Sequence, residues 1–344
     1  MTVTPFRAFR IHRDNDQHQA GVETMGADAL TPGEVLVKVA YSSLNYKDAL
    51  AGTGTGRILR RFPLNGGIDA AGHVVESSDA RFRLGDAVLC TGGGLSETRD
   101  GGLAEYVRFA AESTIALPPG LTLRESMILG TAGFTAALAL LRMQANGQTP
   151  QLGPIAISGA SGGVGTLAID IFSRAGYTVH AISGKRDRFE WLRALGAETC
   201  IDRHELAFSG KAMDSARFGG ALDTVGGGML AGLLPLVAAE GNVALCGNAG
   251  GVAFSSTVMP FIIRGVSLLG IASAVTGRAT REAIWRKLGT DWKPRHLDAI
   301  CTHEVTLDDL TDSFKHMLAG QSHGRTLVAI DANGRALGSA QPTA

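Results

Sequence analysis

At 344 residues the chain is longer than one hydrophobic core commonly serves, so two lobes are expected. Hydrophobic residues make up 45% of it and charged residues 19%, with 46 glycines, which excludes a disordered chain and suits a globular one rich in tight turns. The 32 basic residues balance 32 acidic ones, leaving no long-range field to draw in nucleic acid or an anionic membrane, so any anion site has to be local. Four cysteines (Cys90, Cys200, Cys246, Cys301) are widely separated, with neither the paired spacing of a zinc site nor the density of a disulfide scaffold, which suits a reducing compartment. The start, Met1 to Arg7, lacks an apolar signal region, and no apolar run of roughly 18 residues is evident, so a cytoplasmic protein is expected.

The first third reads as short strands broken by turns: Glu34-Val35-Leu36-Val37-Lys38-Val39 alternates, and Gly72 to Glu76 and Gly85 to Leu89 each follow a glycine-rich stretch. An antiparallel, barrel-like β domain is expected. Thr91 to Gly102, rich in glycine and polar residues, reads as a loop too flexible or exposed to join the core. After Leu117-Pro118-Pro119-Gly120-Leu121 the pattern turns helical from near Leu123, with Met127, Leu129, Phe134, Ala137, Leu138 and Leu141 on one face. From Pro154 buried strands alternate with amphipathic helices: Ile155 to Ser158, a helix from Val164, Thr178 to Ile182, and a helix through Phe189 to Leu192. Thr199 to Ile201, Leu222 to Val225, Val243 to Cys246 and Ser267 to Ile271 are further strands. This is the signature of βαβ units and a parallel sheet of about six strands. Helices near Arg281 to Leu288 and Leu307 to Leu318, and a strand at Arg325 to Ile330, are placed back on the first domain. The expected division is residues 1–124 with 272–344 against 125–271, with 332–344 a loose tail.

Gly159, Gly162 and Gly165 follow an apolar strand and open a helix whose inward face is Val164, Leu167, Ala168 and Ile171. In such a turn the missing β-carbons let the backbone approach a pyrophosphate, and the helix N-terminus offers free N–H groups and a positive dipole. Ser161, Gly162, Gly163 and Val164 are the candidate contacts; the rival is a tight turn that binds nothing. NAD-dependent sheets usually place an acid after the second strand to hold the ribose hydroxyls. Here that strand ends Ser183-Gly184-Lys185-Arg186-Asp187-Arg188, with glycine where the acid would stand. Ser183, Lys185 and either Arg186 or Arg188 suit a 2′-phosphate, so NADPH is the expected cofactor, against a solvated charge cluster at a helix start.

Further motifs make the sequence recognisable. The run Ser42-Ser43-Leu44-Asn45-Tyr46-Lys47-Asp48, Gly67 to Gly72, Gly130 to Ala136 and Ser158 to Gly165 resemble the medium-chain dehydrogenase/reductase superfamily. Asp223-Thr224-Val225-Gly226, Cys246 to Gly251 and Thr257 to Ile262 narrow the resemblance to its acryloyl-CoA reductase subgroup, the AcuI/YhdH type of quinone-oxidoreductase-like proteins, over about residues 5 to 330. The resemblance implies an α/β chain with a GroES-like β-rich catalytic domain made from both chain ends, a Rossmann doubly wound parallel-sheet domain between them, and a cofactor cleft where they meet. Zinc-dependent relatives carry a Cys in the segment matched by Asn45 and Gly-His-Glu in that matched by Gly67-Ile68-Asp69; with neither present, and no four-cysteine lobe, both zinc sites are expected to be absent. The resemblance also places cofactor contacts at Tyr46, Thr131, Ser161 to Val164, Ser183, Gly184, Lys185, Arg203, Asn248, Ile262 and Ser273. Arg203 read alone would equally be a surface arginine, and Asn248 a turn former.

Without a metal to polarise a carbonyl, reduction of an electron-poor double bond is better served than alcohol oxidation. The expected reaction is hydride transfer from NADPH to the β-carbon of an α,β-unsaturated thioester and protonation at the α-carbon, acryloyl-CoA giving propanoyl-CoA. Tyr46 is the candidate proton donor, since a phenol ordinarily titrates near pH ~10, and Asn45 the group that orients substrate or donates to the enolate oxygen. The rival for Tyr46 is a buried hydroxyl that only satisfies a backbone group. Arg57, Arg60 and Arg61, after the Gly52 to Gly56 stretch, are candidates for the coenzyme A phosphates, with a solvated helix end as the alternative. An NADPH:quinone reductase and a non-catalytic NADPH-binding protein are the competing readings. Membership of this family suggests a homodimer, with Ser267 to Ile271 as an edge strand that could pair across a two-fold axis; no nucleic-acid or membrane partner is expected.

Overall fold

The computed structural model describes residues 3–15, 17–206 and 208–330. The tail expected at 332–344 lies outside them. Two compact units result: Met1–Thr131, Ala274–Glu282 and Cys301–Ala344 form the first, Ala132–Ser273 and Ala283–Ile300 the second.

In the first unit Val35–Ser43 is the hub, since Val35, Val37 and Val39 fall on one face by the period of two and all are buried. It pairs antiparallel with Arg325–Ala329, Asp69–Ser77 and Tyr106–Phe109. The seven-stranded sheet is completed by Cys301–Val305, parallel to Arg325–Ala329, and by Ala87–Thr91 and Ile115–Ala116 beyond Asp69–Ser77. A smaller sheet runs Gln17–Met25, Phe6–Asp14, Leu64–Asn65. Its Phe9 meets Phe314 edge to face, ring centroids 5.4 Å apart, within a core shared with Val35, Val37 and Leu310. The helix Tyr46–Thr53 packs on Leu310–Leu318 through Gly52, where a β-carbon would come within 2.4 Å of the Phe314 ring.

The 91–102 loop is not the exposed, flexible stretch that its composition suggests. Leu95, Ser96 and Asp100 are buried. The Asp100 carboxylate accepts the backbone N–H groups of Thr31 at 2.7 Å and Asn65 at 2.9 Å, and Gly92, Gly93 and Gly94 take positive φ to bring the chain round. The glycines serve a compact turn stitched to the sheet.

In the second unit all four residues of Ile155–Ser158 are buried, as a central parallel strand requires. Six parallel strands run in the order Thr199–Asp202, Val179–Ser183, Ile155–Ser158, Phe218–Asp223, Val237–Leu245, Ser267–Gly270, which is 3-2-1-4-5-6 in chain order. This is the doubly wound arrangement of a dinucleotide fold, with its switch point between the first and fourth strands. Ser267–Gly270 stands at the sheet edge.

Two expectations shift. The helix Leu123–Ala145 is long and apolar enough to cross a membrane, contrary to the sequence reading, but 83% of its most apolar stretch is buried inside the fold. Secondly, the units divide after Thr131 rather than at 124, and 283–300 belong to the second unit rather than the first. Trp285 is fully buried with its ring stacked on Phe134, centroids 6.2 Å apart. The buried Asp170 carboxylate accepts the backbone N–H groups of Arg295 at 3.1 Å and His296 at 2.8 Å, and meets the His296 ring at 3.0 Å. Asp170→Ala strands those amides and should cost roughly 2–4 kcal/mol of stability in urea unfolding; a loss within error of zero would show that Asp170 does not anchor residues 295–296.

Candidate active site

In the second unit the strand Ile155–Ser158 turns into the helix Gly163–Arg174 through the glycine-rich segment. Gly159 takes φ +58°, where a β-carbon would lie 2.3 Å from the Thr224 hydroxyl, and one on Gly165 would lie 2.4 Å from the Gly159 carbonyl oxygen. Only glycine allows the turn to close this tightly. The helix N-cap is Gly162, with no side chain capping it, so the first-turn N–H groups and the dipole remain available to an anion. Ser161 lies at this turn, and its hydroxyl oxygen accepts from the Ser183 hydroxyl at 3.0 Å.

That bond joins the turn to the end of the next strand. The Ser183 hydroxyl also accepts the Lys185 backbone N–H at 3.1 Å, while Arg203 donates its own backbone N–H to the Ser183 carbonyl at 3.1 Å. The Arg203 side chain lies across Gly184, 2.6 Å from where a β-carbon would be. Burial, and then Arg188, depress the Lys185 ammonium below its usual range. Ser161, Ser183, Gly184, Lys185 and Arg203 thus converge. Arg186 and Arg188, held as possible phosphate ligands, are committed elsewhere: Arg186 pairs with Asp202 and Glu205, and Arg188 with Asp187. Asn248 sits in an exposed turn closed by Gly251 N–H to its carbonyl at 2.9 Å, Ile262 is 68% exposed on the helix Met259–Arg264, and Ser273 begins a single helical turn.

In the first unit Asn45 caps the helix Tyr46–Thr53, and Asp48 closes the capping box by accepting the Asn45 backbone N–H at 2.9 Å. The Asn45 amide donates to Asp48 at 3.1 Å and to Asp69 at 2.8 Å, and its oxygen accepts from Arg325 at 3.2 Å. Both amide hydrogens are engaged within the protein, at the start of the helix. Asp69, fully buried, also accepts from the Ser43 hydroxyl at 2.8 Å, the Thr131 N–H at 2.9 Å and the Thr131 hydroxyl at 2.6 Å. Arg325, itself buried, donates to the Ile128 and Leu44 carbonyls and the Ser43 hydroxyl, and lies 3.9 Å from Asp69. Gly130 breaks the long helix here with φ +48°, since a β-carbon would fall 2.5 Å from Asp69 and 2.9 Å from Arg325.

Tyr46 is 47% exposed, so it is not the buried hydroxyl of the rival reading. Arg57, Arg60 and Arg61 are exposed, and none pairs with a carboxylate among the described residues. Sequence reasoning missed Arg325 as a site residue; a charged residue opening an apolar strand was the only signal.

The GroES-like domain of alcohol dehydrogenases matches residues 31–119, and the zinc-binding dehydrogenase family matches 163–288. The putative quinone oxidoreductase YhfP of Bacillus subtilis is 42% identical over 95% of this chain and 99% of its own. Acrylyl-CoA reductase AcuI of Ruegeria pomeroyi is 38% identical over 95% of this chain and 100% of its own. The chain belongs to the medium-chain dehydrogenase/reductases, in their zinc-free AcuI-type branch. Among solved structures of this family, the yhdH oxidoreductase of Salmonella enterica, in complex with NADP, superposes with a TM-score of 0.91 at 42% identity, covering 94% of this chain and 100% of that one. The YhfP structure, with NAD bound, gives 0.92 at 41% identity over 95% and 100%. Family membership makes this chain an oxidoreductase. Among the described residues no group of three or more His, Cys, Asp or Glu side chains is placed to hold a metal ion.

Burial and the neighbouring Asp69 push the Asp48 carboxyl up to about 7. A folded-state value above the unfolded one means that between about pH 4 and pH 7 the native chain holds a proton that the unfolded chain has lost. The stability contributed by this group is therefore present at low pH and declines as pH rises through that window. In denaturant unfolding at pH 5 and pH 7.5, Asp48→Asn should show a smaller decline than the wild type; an unchanged difference would remove Asp48 from the pH response.

Proposed function

We propose that the chain is an NADPH-dependent reductase of short α,β-unsaturated acyl-CoA thioesters, converting acryloyl-CoA to propanoyl-CoA. The observation that carries this reading is the Asp69 network. The segments that hold zinc ligands in metal-dependent relatives here contribute Asn45 and Asp69, whose polar atoms are taken up by Asp48, Ser43, Thr131 and Arg325. A donor set saturated in this way suits a reaction that needs a hydride and a proton rather than a Lewis acid. The AcuI relatives are named for this activity.

The Ser161 to Val164 turn receives the pyrophosphate, and Ser183, Gly184, Lys185 and Arg203 the 2′-phosphate, in keeping with the NADP-bound Salmonella relative. Tyr46, Thr131, Asn248, Ile262 and Ser273 complete the cofactor contacts by family resemblance. Bound there, NADPH supplies the hydride to the substrate β-carbon. Tyr46, standing exposed at the start of its helix, delivers the proton to the α-carbon, and Asn45 fixes that helix start. Arg57, Arg60 and Arg61 offer unpaired positive charge to the coenzyme A phosphates. A quinone reductase is the second reading, favoured by the name of the YhfP relative.

Oxidation of NADPH by the purified protein separates the two. The thioester reading predicts a kcat/KM for acryloyl-CoA about 100-fold above that for small quinones, and the reverse order would overturn it. Tyr46→Phe should lower kcat about 100-fold; near-wild-type turnover with chemistry rate-limiting would remove Tyr46 from proton transfer. Reversing charge at Arg60 and Arg61 should raise the KM for the thioester about tenfold and leave that for NADPH unaltered, and an equal rise in both would refute their assignment.

A further inference from the structure

Behind the Ser183 to Lys185 turn stands a charge arrangement that the cofactor reading does not use. Ser183 is in register with Asp202, the last residue of the neighbouring parallel strand, and strands in a sheet lie about 4.8 Å apart. A carboxylate is therefore one strand away from the proposed 2′-phosphate site. Left bare, it would repel a dianion, and Glu205, three residues on, would add to the effect.

Neither acid is bare. Asp202 is buried, with one oxygen accepting the His204 backbone N–H at 2.8 Å and the other accepting the Arg186 Nε–H. A second nitrogen of the same guanidinium donates to Glu205. The bonds from His204 and Arg186 hold the Asp202 carboxyl below its usual range, and both acids raise the Arg186 guanidinium. Between the two acids lies Arg203, whose Nε–H donates to His204 Nε2 at 3.1 Å while its side chain crosses Gly184. One guanidinium thus pairs with two acids, leaving one net negative charge in place of two, and a second stands over the turn.

We propose that Arg186 favours the 2′-phosphorylated cofactor without touching it, by pairing with Asp202 and Glu205 and so weakening their repulsion of the phosphate. His204 is the companion positioning residue, holding Arg203 across Gly184. The inference rests on the NADPH reading of the turn. It makes selectivity a property of charges on the third strand, whereas the residue after the second strand, where an NAD-dependent sheet usually carries its acid, is only a permissive glycine.

Binding of NADP+ and of NAD+ is measured separately, by calorimetry, for the wild type, Arg186→Ala, and the triple variant Arg186→Ala/Asp202→Asn/Glu205→Gln. Asp202→Asn retains an oxygen for the His204 N–H. Arg186→Ala should weaken NADP+ about five- to tenfold and NAD+ less than about twofold, with the loss shrinking in about 1 M salt. The triple variant should return NADP+ affinity to within about twofold of the wild type. Failure of the triple variant to recover would show that Arg186 contacts the phosphate itself, and an unaffected NADP+ affinity in Arg186→Ala would reduce the pair to scaffolding; either result overturns the proposal. Equal affinity of the wild type for NADP+ and NAD+ would instead defeat the NADPH reading on which it stands.

Discussion

The first unit is organised around one buried carboxylate. Asp69 receives hydrogen bonds from Ser43, Asn45 and Thr131, with Arg325 beside it at 3.9 Å. A polar group taken out of water at this depth is tolerated only with such a set of hydrogen-bond partners, and removing any one leaves a cost larger than the net worth of the bond. Several local features follow from it. The long helix breaks at Gly130 because no β-carbon fits against Asp69 and Arg325, and it restarts at Thr131 with Asp69 accepting its first free N–H. Asn45 is bonded to Asp48 and Asp69, while the neighbouring Tyr46 is exposed. Arg325 ties the C-terminal strand to residues 43 to 45 and 128, so both chain ends meet at this carboxylate.

The second unit manages charge by proximity, in a chain whose formal net charge is zero. The helix start at Gly163 presents uncapped N–H groups, and Ser161 and Ser183 are linked by their hydroxyls. The cations nearby divide between two tasks: Lys185 and Arg203 stand at the turn, and Arg186 is engaged with acids of the adjoining strand. Composition alone gives three basic residues in four positions. The register of Ser183 with Asp202 is what separates their roles.

Much of this was readable from residues. Alternation of apolar strands and amphipathic helices gave the parallel sheet, and the Gly159 to Gly165 spacing gave the turn, because both depend on local backbone chemistry. The hairpin Phe6–Asp14 with Gln17–Met25 is hidden in the sequence because Arg10 and His12 interrupt the face begun by Phe6 and Ala8, and Arg10 is buried with distant partners such as Asn65 and Asp100. The 91–102 loop was misjudged for the same reason, since Asp100 acts through Thr31 and Asn65. Residues 283–300 were assigned to the wrong unit because the helix Arg278–Gly289 begins in one unit and ends in the other, and no composition change marks the crossing. Asn45 was legible as a functional position, while the saturation of its amide depended on Arg325, some 280 residues away in sequence. Long-range hydrogen bonding is the common element for Arg10, Asp100 and Asn45.

The central claim is that Asn45 and Asp69 are held in a hydrogen-bonded network within the protein and that the reaction needs no zinc. The direct measurement is acryloyl-CoA turnover by protein dialysed exhaustively against a chelator, with zinc quantified in the same sample. The account predicts undiminished turnover at a zinc content far below one ion per chain. Turnover that disappears on chelation and returns on adding zinc would contradict it.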